Sequence, residues 1–286
     1  LFADSVMTDG ISENQNRDKV ERTEPTLKEM TVHALNILEK QPNGFFLMVE
    51  GGQIDFASHR NDTGRLLHEM LKFNDTLNAV LDWAATHPDT LIVVTADHET
   101  GGFGFSYSAA NRPKGKHLTG DAFNKDVLFK PDYNFGNPEV LDKLYAQQLS
   151  YEHLFEEFDH LPKDQQTPET LQDLVNRNTQ FTINTQQAQT ILATEDNPFY
   201  EQGHGTLGQK QVPKMPVNKA FFPYQKDNRQ NLLAQAVSDQ QQVVWATGTH
   251  TSTPVLVFTH GQPDLLKPFG KLLHHTDISR LLESAL

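Results

Sequence analysis

The sequence contains no cysteine and no apolar stretch of transmembrane length. Without thiols, disulfides and thiolate metal sites are excluded, so any bound zinc must be held by histidine and carboxylate ligands. The second absence argues against a membrane-spanning helix. Positive charge is also scarce: 24 Lys and Arg face 37 Asp and Glu, and the net charge of -13 argues against nucleic acid as a partner. The same charge would repel an anionic substrate unless bound cations reversed the local field.

The first residues also lack the pattern of a signal peptide, because no positively charged segment leads into an apolar one. The chain opens with "LFADSVMTDG" and has no initiator methionine. We expect this stretch to be the interior of a longer protein.

Helical and strand patterns alternate through the first hundred residues. The pattern predicts a helix over 24–44, a buried strand over 45–49, a long amphipathic helix over 65–87 and a second strand over 91–95. A third apolar strand is predicted over 254–258, and a terminal helix over 277–286. This order predicts an α/β fold of three layers, in which a largely parallel central sheet is flanked by helices.

Residues 107–240 differ in texture from the rest of the chain. They are rich in Gln, Asn, Asp and Lys, and they contain two helical patches, around 138–159 and 168–193, but no continuous core strand. We interpret 107–240 as a large insertion within a single domain spanning 1–286. Such an insertion could form a lid, a crown or a dimer arm.

Ionisable side chains follow two of the predicted strands. Glu50, Asp55 and His59 come after the first, and Asp97 and His98 come after the second. In open α/β sheets, ligands collect beyond the carboxyl ends of the strands. The four-residue spacing of Asp55 and His59 would place both side chains on one face of a helix.

Imidazole and carboxylate together suit zinc, whereas an isolated carboxylate such as Glu50 suits magnesium. Each cluster alone also has an ordinary explanation, since an Asp-His pair after a strand can cap a turn. Two clusters that both follow core strands, each beside a pair of glycines, favour a metal site over capping.

Three segments, "VEGGQIDFASH" (49–59), "VVTADHETGG" (93–102) and "GTHTSTPVLVF" (248–258), occur in this order with a long insertion before the last. Together they resemble the metal-binding part of alkaline phosphatases. Within this family, the chain resembles the bacterial, cold-active marine members with a large surface loop. The resemblance covers nearly the whole chain and implies phosphomonoester hydrolysis.

The resemblance also implies roles for individual residues. It assigns Asp55, His59 and His250 to a first zinc ion, Asp97 and His98 to a second, and Glu50 to magnesium. Further side chains are expected to support the ligands or shape the site: Phe56, Thr249, Thr251 and His260. Phe56 stands where several family members have Lys or His, so it would dry or narrow the site and supply no charge. His260 has the alternative role of capping its strand.

In the family, the two zinc ions flank the phosphate and activate a serine that forms a phosphoserine intermediate. No catalytic nucleophile is expected in this chain. Ser5 follows an aspartate, as the family nucleophile does, but the residues after it and its place in the sequence do not match. We therefore expect the serine to lie upstream, in a missing N-terminal half, and residues 1–286 alone to be inactive. The resemblance further implies a homodimer in the periplasm or outside the cell.

Two alternatives remain open at the level of sequence. The chain could belong to a sulfatase, phosphodiesterase or phosphomutase of the same superfamily, although Glu50 as a magnesium ligand favours a monoesterase. It could also be a non-catalytic metal-binding scaffold or dimerisation half.

Overall fold

The fold is taken from a computed structural model that describes residues 2–120, 127–215 and 219–286. Its α-helices are Gly10–Asn16 (α1), Leu27–Leu38 (α2), Gln53–His59 (α3), Thr63–Ala84 (α4), Glu139–Tyr145 (α5), Tyr151–His160 (α6), Pro168–Asn178 (α7), Thr185–Leu192 (α8), Asn228–Gln241 (α9), Pro263–Leu266 (α10) and His275–Ala285 (α11). Its strands are Ile92–Val94 (β1), Glu99–Thr100 (β2), Gly104–Phe105 (β3), Lys116–His117 (β4), Leu128–Phe129 (β5), Thr194–Asp196 (β6), Gln211–Pro213 (β7), Val243–Val244 (β8), His250–Thr251 (β9) and Phe258–His260 (β10). No helix in these ranges has the length and apolar character needed to span a membrane.

The predicted helices are confirmed, with ends set by capping residues. Helix α2 begins after Thr26, whose hydroxyl accepts from the backbone N–H of Glu29, 3.2 Å away, while the Glu29 carboxylate accepts from the N–H of Thr26 at 2.7 Å. This reciprocal pair satisfies two backbone donors that a helix start otherwise leaves unpaired. The capping box explains why α2 starts at 27 and not at 24.

The strands correct the prediction of a largely parallel sheet. Every strand pair within the described ranges is antiparallel: β1 with β10, β2 with β9, β3 with β8, β4 with β5, and β6 with β7. The helix–strand–helix–strand order predicted parallel neighbours in sequence, but three of these pairs join segments more than a hundred residues apart. Sequence order carries no information about direction in such pairs.

The predicted strand over 45–49 does not form a ladder with any described residue. Its side chains alternate in exposure as a strand's would, with Phe46 and Met48 at 57% and 67% exposed. The third strand lies later than predicted, because only Phe258 of 254–258 enters a ladder, with Val94 opposite it. Leu256 is 72% exposed and Phe258 is 61% exposed. Residues 45–49 and 254–257 are therefore extended or irregular segments that are unpaired within the described ranges and expose apolar side chains.

The largest cluster of buried apolar side chains lies in helices α5 to α9, most of it within the region predicted as an insertion. Leu144, Leu154, Phe158, Leu171 and Leu233 are among its fully or almost fully buried members. The apolar residues recur at helical spacing in each helix, so each helix contributes one face to the cluster. This region is therefore a packed unit despite its polar composition.

A buried carboxylate fixes the start of α4 against α6. Asp62 accepts hydrogen bonds from the backbone N–H of Arg65 (3.1 Å), the side-chain amide of Gln147 (2.9 Å) and the backbone N–H of Tyr151 (2.6 Å). Its side chain is fully buried, and this burial raises the pKa of Asp62 above its ordinary value. The three donors compensate for the removal of the carboxylate from water.

A second buried carboxylate anchors α1. Asp9 caps α1 by accepting from the N–H of Ile11 at 2.9 Å and of Ser12 at 3.0 Å, and it lies 2.9 Å from Nδ1 of His153 in α6. Burial alone would raise the pKa of Asp9, but the hydrogen bonds from His153 and from the backbone hold it well below its ordinary value. The same hydrogen bond raises the pKa of His153.

Candidate metal centre

Two short elements bring three predicted ligands together. Helix α3 places Asp55 and His59 one turn apart, and β9, paired with β2, delivers His250 from the far end of the chain. Nε2 of His59 lies 3.3 Å from Oδ2 of Asp55 and 3.0 Å from Nε2 of His250, which in turn lies 3.5 Å from Oδ1 of Asp55. The three ligand atoms all lie within 4.8 Å of one another. The set predicted for the first zinc ion therefore converges.

The orientation of His59 is set by the backbone. Its Nδ1 lies 2.8 Å from the carbonyl oxygen of Gly248, which can only accept a hydrogen bond, so Nδ1 carries the proton. Nε2 is then the atom directed at Asp55 and His250, which is the arrangement typical of metal-binding histidines.

The electrostatics of this group also suit a cation. Partial burial would raise the pKa of Asp55, but hydrogen bonds from His59 and Thr100 outweigh it and lower the pKa to about 2. The hydrogen bond to Asp55 raises the pKa of His59. Asp55 is therefore ionised throughout the physiological range, and a metal ion would compete with a proton for Nε2 of His59.

The nearest separations among the ligand atoms are close to those around tetrahedral zinc. Zinc bonds of 2.0–2.1 Å in tetrahedral geometry place neighbouring ligand atoms about 3.3 Å apart. The two Nε2 atoms are 3.0 Å apart, and Asp55 approaches His59 with Oδ2 at 3.3 Å and His250 with Oδ1 at 3.5 Å. With a single oxygen of Asp55 as the ligand, the three atoms lie within 4.8 Å of one another. Two imidazoles and one carboxylate leave a fourth position open, as catalytic zinc sites require.

The ligands predicted for a second zinc ion lie beside the first group. The imidazole of His98 stacks on that of His250, with ring centroids 3.5 Å apart and planes at 24°. Nε2 of His98 is 3.1 Å from Oδ2 of Asp97, again close to the tetrahedral spacing, and the Asp97 side chain is 85% exposed. Asp97 and His98 thus form an open pair that adjoins the first group.

The other predicted residues have different positions. Glu50 is exposed and folds back towards Gly52, where an added Cβ would lie 3.2 Å from Oε1 of Glu50. Phe56 lies on α3 and is 39% exposed. Thr249 contacts the neighbourhood of the ligands through its backbone. Its carbonyl accepts a hydrogen bond from the N–H of Gly101, which directly follows β2, at 2.9 Å.

The last two predicted supporting residues lie on β9 and β10. The hydroxyl of Thr251 donates to Glu99, its neighbour across the β2–β9 pair. His260 lies opposite Ile92 and lines a cavity of about 260 Å³ together with the end of α4. Thr251 therefore ties β9 to β2 directly beside His250. His260 lines a cavity whose residues include none of the predicted metal ligands.

Sequence reasoning missed the residues that hold the ligand segments in place. Asn231 of α9 is buried, and its amide donates to the carbonyl of His59 at 2.9 Å and to Oδ1 of Asn61 at 2.7 Å. Asn61 in turn donates to the carbonyls of Ser58 and Thr247, both at 2.9 Å. No spacing rule links α9 to α3, although Asn61 in the left-handed region (φ 54°) is a position where asparagine is enriched.

Gly101, directly after β2, also belongs to this framework. Its φ of +88° is unfavourable for other residues, and an added Cβ would lie 2.7 Å from the ring of Trp245. The backbone of Gly101 accepts from the N–H of Ala246 at 2.8 Å and donates to Thr249. The predicted need for glycine next to the ligands is explained here, because the backbone of Gly101 lies too close to Trp245 for any side chain.

Comparison with known sequences agrees with the motifs. The sequence model of the family described as "Alkaline phosphatase" matches residues 1–286. The chain is 44% identical over 103 residues to alkaline phosphatase 4 of Bacillus subtilis, which covers 36% of this chain and 21% of that protein. It is 34% identical over 188 residues to alkaline phosphatase 4 of Drosophila melanogaster, covering 65% of this chain and 28% of that protein.

Comparison with solved structures agrees with the fold. A Thermus thermophilus alkaline phosphatase superposes with a TM-score of 0.65 at 22% identity, covering 95% of this chain and 49% of that one. A cold-active alkaline phosphatase from a psychrophilic Shewanella gives a TM-score of 0.58 at 22% identity, covering 92% and 51%. The chain therefore has the α/β fold of these proteins and spans about half of their length.

Proposed function

The chain belongs to the alkaline phosphatase family, and on this basis we propose that it forms the zinc-binding part of an enzyme that hydrolyses phosphate monoesters. The observation that carries the proposal is the convergence of Asp55, His59 and His250, whose ligand atoms all lie within 4.8 Å of one another and so can reach one ion. His98 and Asp97, beside this group, would hold a second zinc ion, and Glu50 would hold magnesium.

The proposal also accounts for the net charge of -13. A dianionic phosphate ester would be repelled by such a chain, and bound divalent ions would supply the positive charge that binds its oxygens. Asp55, ionised even in mild acid, would keep the first ion in place. The hydrogen bond from His59 to the backbone of Gly248 would keep Nε2 directed at that ion as substrate enters.

We propose that the nucleophile is a serine on a segment outside residues 1–286, and that it forms a phosphoserine during turnover. No serine hydroxyl in the part of the chain that the structure describes hydrogen-bonds to Asp55, His59 or His250. Ser58, the nearest in sequence, donates to the carbonyl of Ile54 at 2.8 Å.

We further propose that the extended segment 45–49 is a strand of a larger, three-layered sheet that additional chain completes. The backbone of 45–49, unpaired among the described residues, supports this, because unpaired strand backbone is a surface for strand addition. The exposed apolar side chains of Phe46 and Met48 also support it, since a covering layer would bury them.

The assembly and location of the protein are proposed from the family. A homodimer is expected, with part of 107–240 at its interface as a crown or arm. Support comes from an exposed aromatic group in this region: Tyr107 lies 5.1 Å from Tyr133 and 5.5 Å from Phe135, measured between ring centroids, and all three are at least 45% exposed. A periplasmic or secreted location follows from the same family resemblance.

A zinc titration combined with a substrate panel tests the proposed function. The purified chain should bind zinc through Asp55, His59 and His250, and Co²⁺ in its place should give the visible absorption of a tetrahedral site. When the purified chain is combined with the proposed serine-bearing segment, it should hydrolyse an aryl phosphate and leave an aryl sulfate intact. Preference for the sulfate would indicate a different member of the superfamily. Zinc binding with no turnover in the reconstituted protein would indicate a scaffold.

A further inference from the structure

The hydroxyl of Thr100 lies between the two groups of candidate ligands. Its Oγ1 is 2.5 Å from Oδ1 of Asp55 and 3.2 Å from Nδ1 of His98. The residue is only 8% exposed, and it is the cross-strand neighbour of His250 in the β2–β9 pair. One buried hydroxyl therefore contacts a ligand from each group and lies on the strand opposite a third.

The direction of these hydrogen bonds follows from the atoms involved. The ionised carboxylate of Asp55 can only accept, so the Thr100 hydroxyl donates its single proton to Oδ1. Oγ1 can then only accept from His98, which places the His98 ring proton on Nδ1. Nε2 of His98 is thereby left as the atom that faces Asp97, 3.1 Å away.

The backbone that carries Thr100 is itself held on both sides. The carboxylate of the preceding residue, Glu99, accepts from the N–H of Gly102 at 2.8 Å and from the hydroxyl of Thr251 on β9. These contacts fix the short strand β2 against β9. The hydroxyl of Thr100 is therefore presented to Asp55 and His98 by a framework that does not depend on a bound ion.

We propose that Thr100 is a positioning residue that orients Asp55 and His98 together and so couples the two zinc sites. The inference rests on the proposed function, because its consequence is that loss of one hydroxyl weakens zinc binding at both sites. Hydrogen bonds behind metal ligands change metal affinity by about 10- to 100-fold when removed. A hydroxyl shared by ligands of two ions should act on both.

The first test needs neither metal nor a change at Thr100. In the metal-free protein, long-range ¹⁵N–¹H correlations report which ring nitrogens of His98 carry a proton. Assignment comes from the loss of the signals in His98→Gln. A proton on Nδ1 is the expected result, whether or not Nε2 also carries a proton towards Asp97, and an Nδ1 that carries no proton would overturn the proposal.

The second test compares three variants by the same spectrum and by zinc competition with a chromophoric chelator. Thr100→Val keeps the shape and removes the hydroxyl, and it should reduce the Nδ1-protonated fraction of His98 and weaken both zinc-binding steps by about 10- to 100-fold. Thr100→Ser should restore both readouts. Thr31→Val is the matched control, because Thr31 is also buried and its hydroxyl donates to a helix carbonyl, that of Leu27, at 2.7 Å.

The outcomes separate this proposal from the function on which it rests. Unchanged zinc affinity in Thr100→Val, or weakening of one binding step alone, would contradict the coupling. A wild-type chain that binds no zinc would refute the proposed function, while the tautomer of His98, measured without metal, would still decide whether Thr100 orients this ring.

Discussion

Replacing Asp62 by alanine should destabilise the fold more than any exposed substitution on the same helix. The change removes the acceptor of three hydrogen bonds, those from the backbone of Arg65, from Gln147 and from the backbone of Tyr151. Gln147 keeps a second acceptor, the carbonyl of Leu149 at 2.9 Å. The backbone N–H groups of Arg65 and Tyr151 lose their side-chain acceptor.

The magnitude follows from these losses. The helix cap at Arg65 contributes about 1 kcal/mol, and a buried N–H left without a partner at Tyr151 costs about 1–3 kcal/mol. Weakening the bond from Gln147 adds about 1 kcal/mol. Relief from burying the carboxylate, whose pKa is raised by that burial, offsets part of the sum. We therefore expect a net loss of about 2–4 kcal/mol in the free energy of unfolding, which lowers Tm by roughly 4–10 °C in a chain of this size.

Urea unfolding followed by circular dichroism measures the effect. Asp82→Ala is the matched control, because Asp82 is an exposed carboxylate on the same helix, and its change should stay within about 0.5 kcal/mol. Asp62→Asn keeps one acceptor oxygen and should fall between the two. Equal stabilities of Asp62→Ala and the control would refute the role assigned to the buried carboxylate.

Three further outcomes are expected from other parts of the molecule. His250→Ala should weaken zinc binding by at least about 100-fold, whereas His260→Ala, outside the ligand group, should leave it unchanged; equal effects in a chelator competition would contradict the assignment. The ion pair of His153 should add about 1 kcal/mol below about pH 6.5 and fade as pH rises through the raised pKa of its ring; a pH-independent difference between wild type and His153→Ala would count against it. Gly101→Ala should cost about 1–3 kcal/mol more than Gly203→Ala, since both have positive φ but only the first Cβ would meet an indole ring, and calorimetry can compare them.

The local features of the site could be predicted from the sequence. The four-residue spacing of Asp55 and His59 predicted one face of a helix, and α3 places both side chains there. The sequence also predicted that ligands following different strands lie close together. His98, which follows the second predicted strand, stacks on His250 of the first ligand group, in agreement with this expectation.

The long-range features could not be predicted. The direction of the β1–β10 pair depends on how segments more than 150 residues apart meet, and hydrophobic pattern is the same in either direction. The hydrogen bond from Asn231 to His59 spans 172 residues, and the sequence marks Thr100 only as one residue of a longer motif. Such contacts are set by tertiary packing, which one sequence without related sequences does not specify.

The hydrogen bond between His59 and His250 joins residues 191 positions apart. Bringing the ends of so long a flexible chain together would cost about 5 kcal/mol in loop-closure entropy. Helices α5 to α9 lie inside this loop, and once they have packed into their apolar cluster the distance left for flexible chain to bridge is much shorter. We therefore expect the ligand group to form late in folding, and mutations that loosen the helical cluster to disturb the group even where they contact none of its residues.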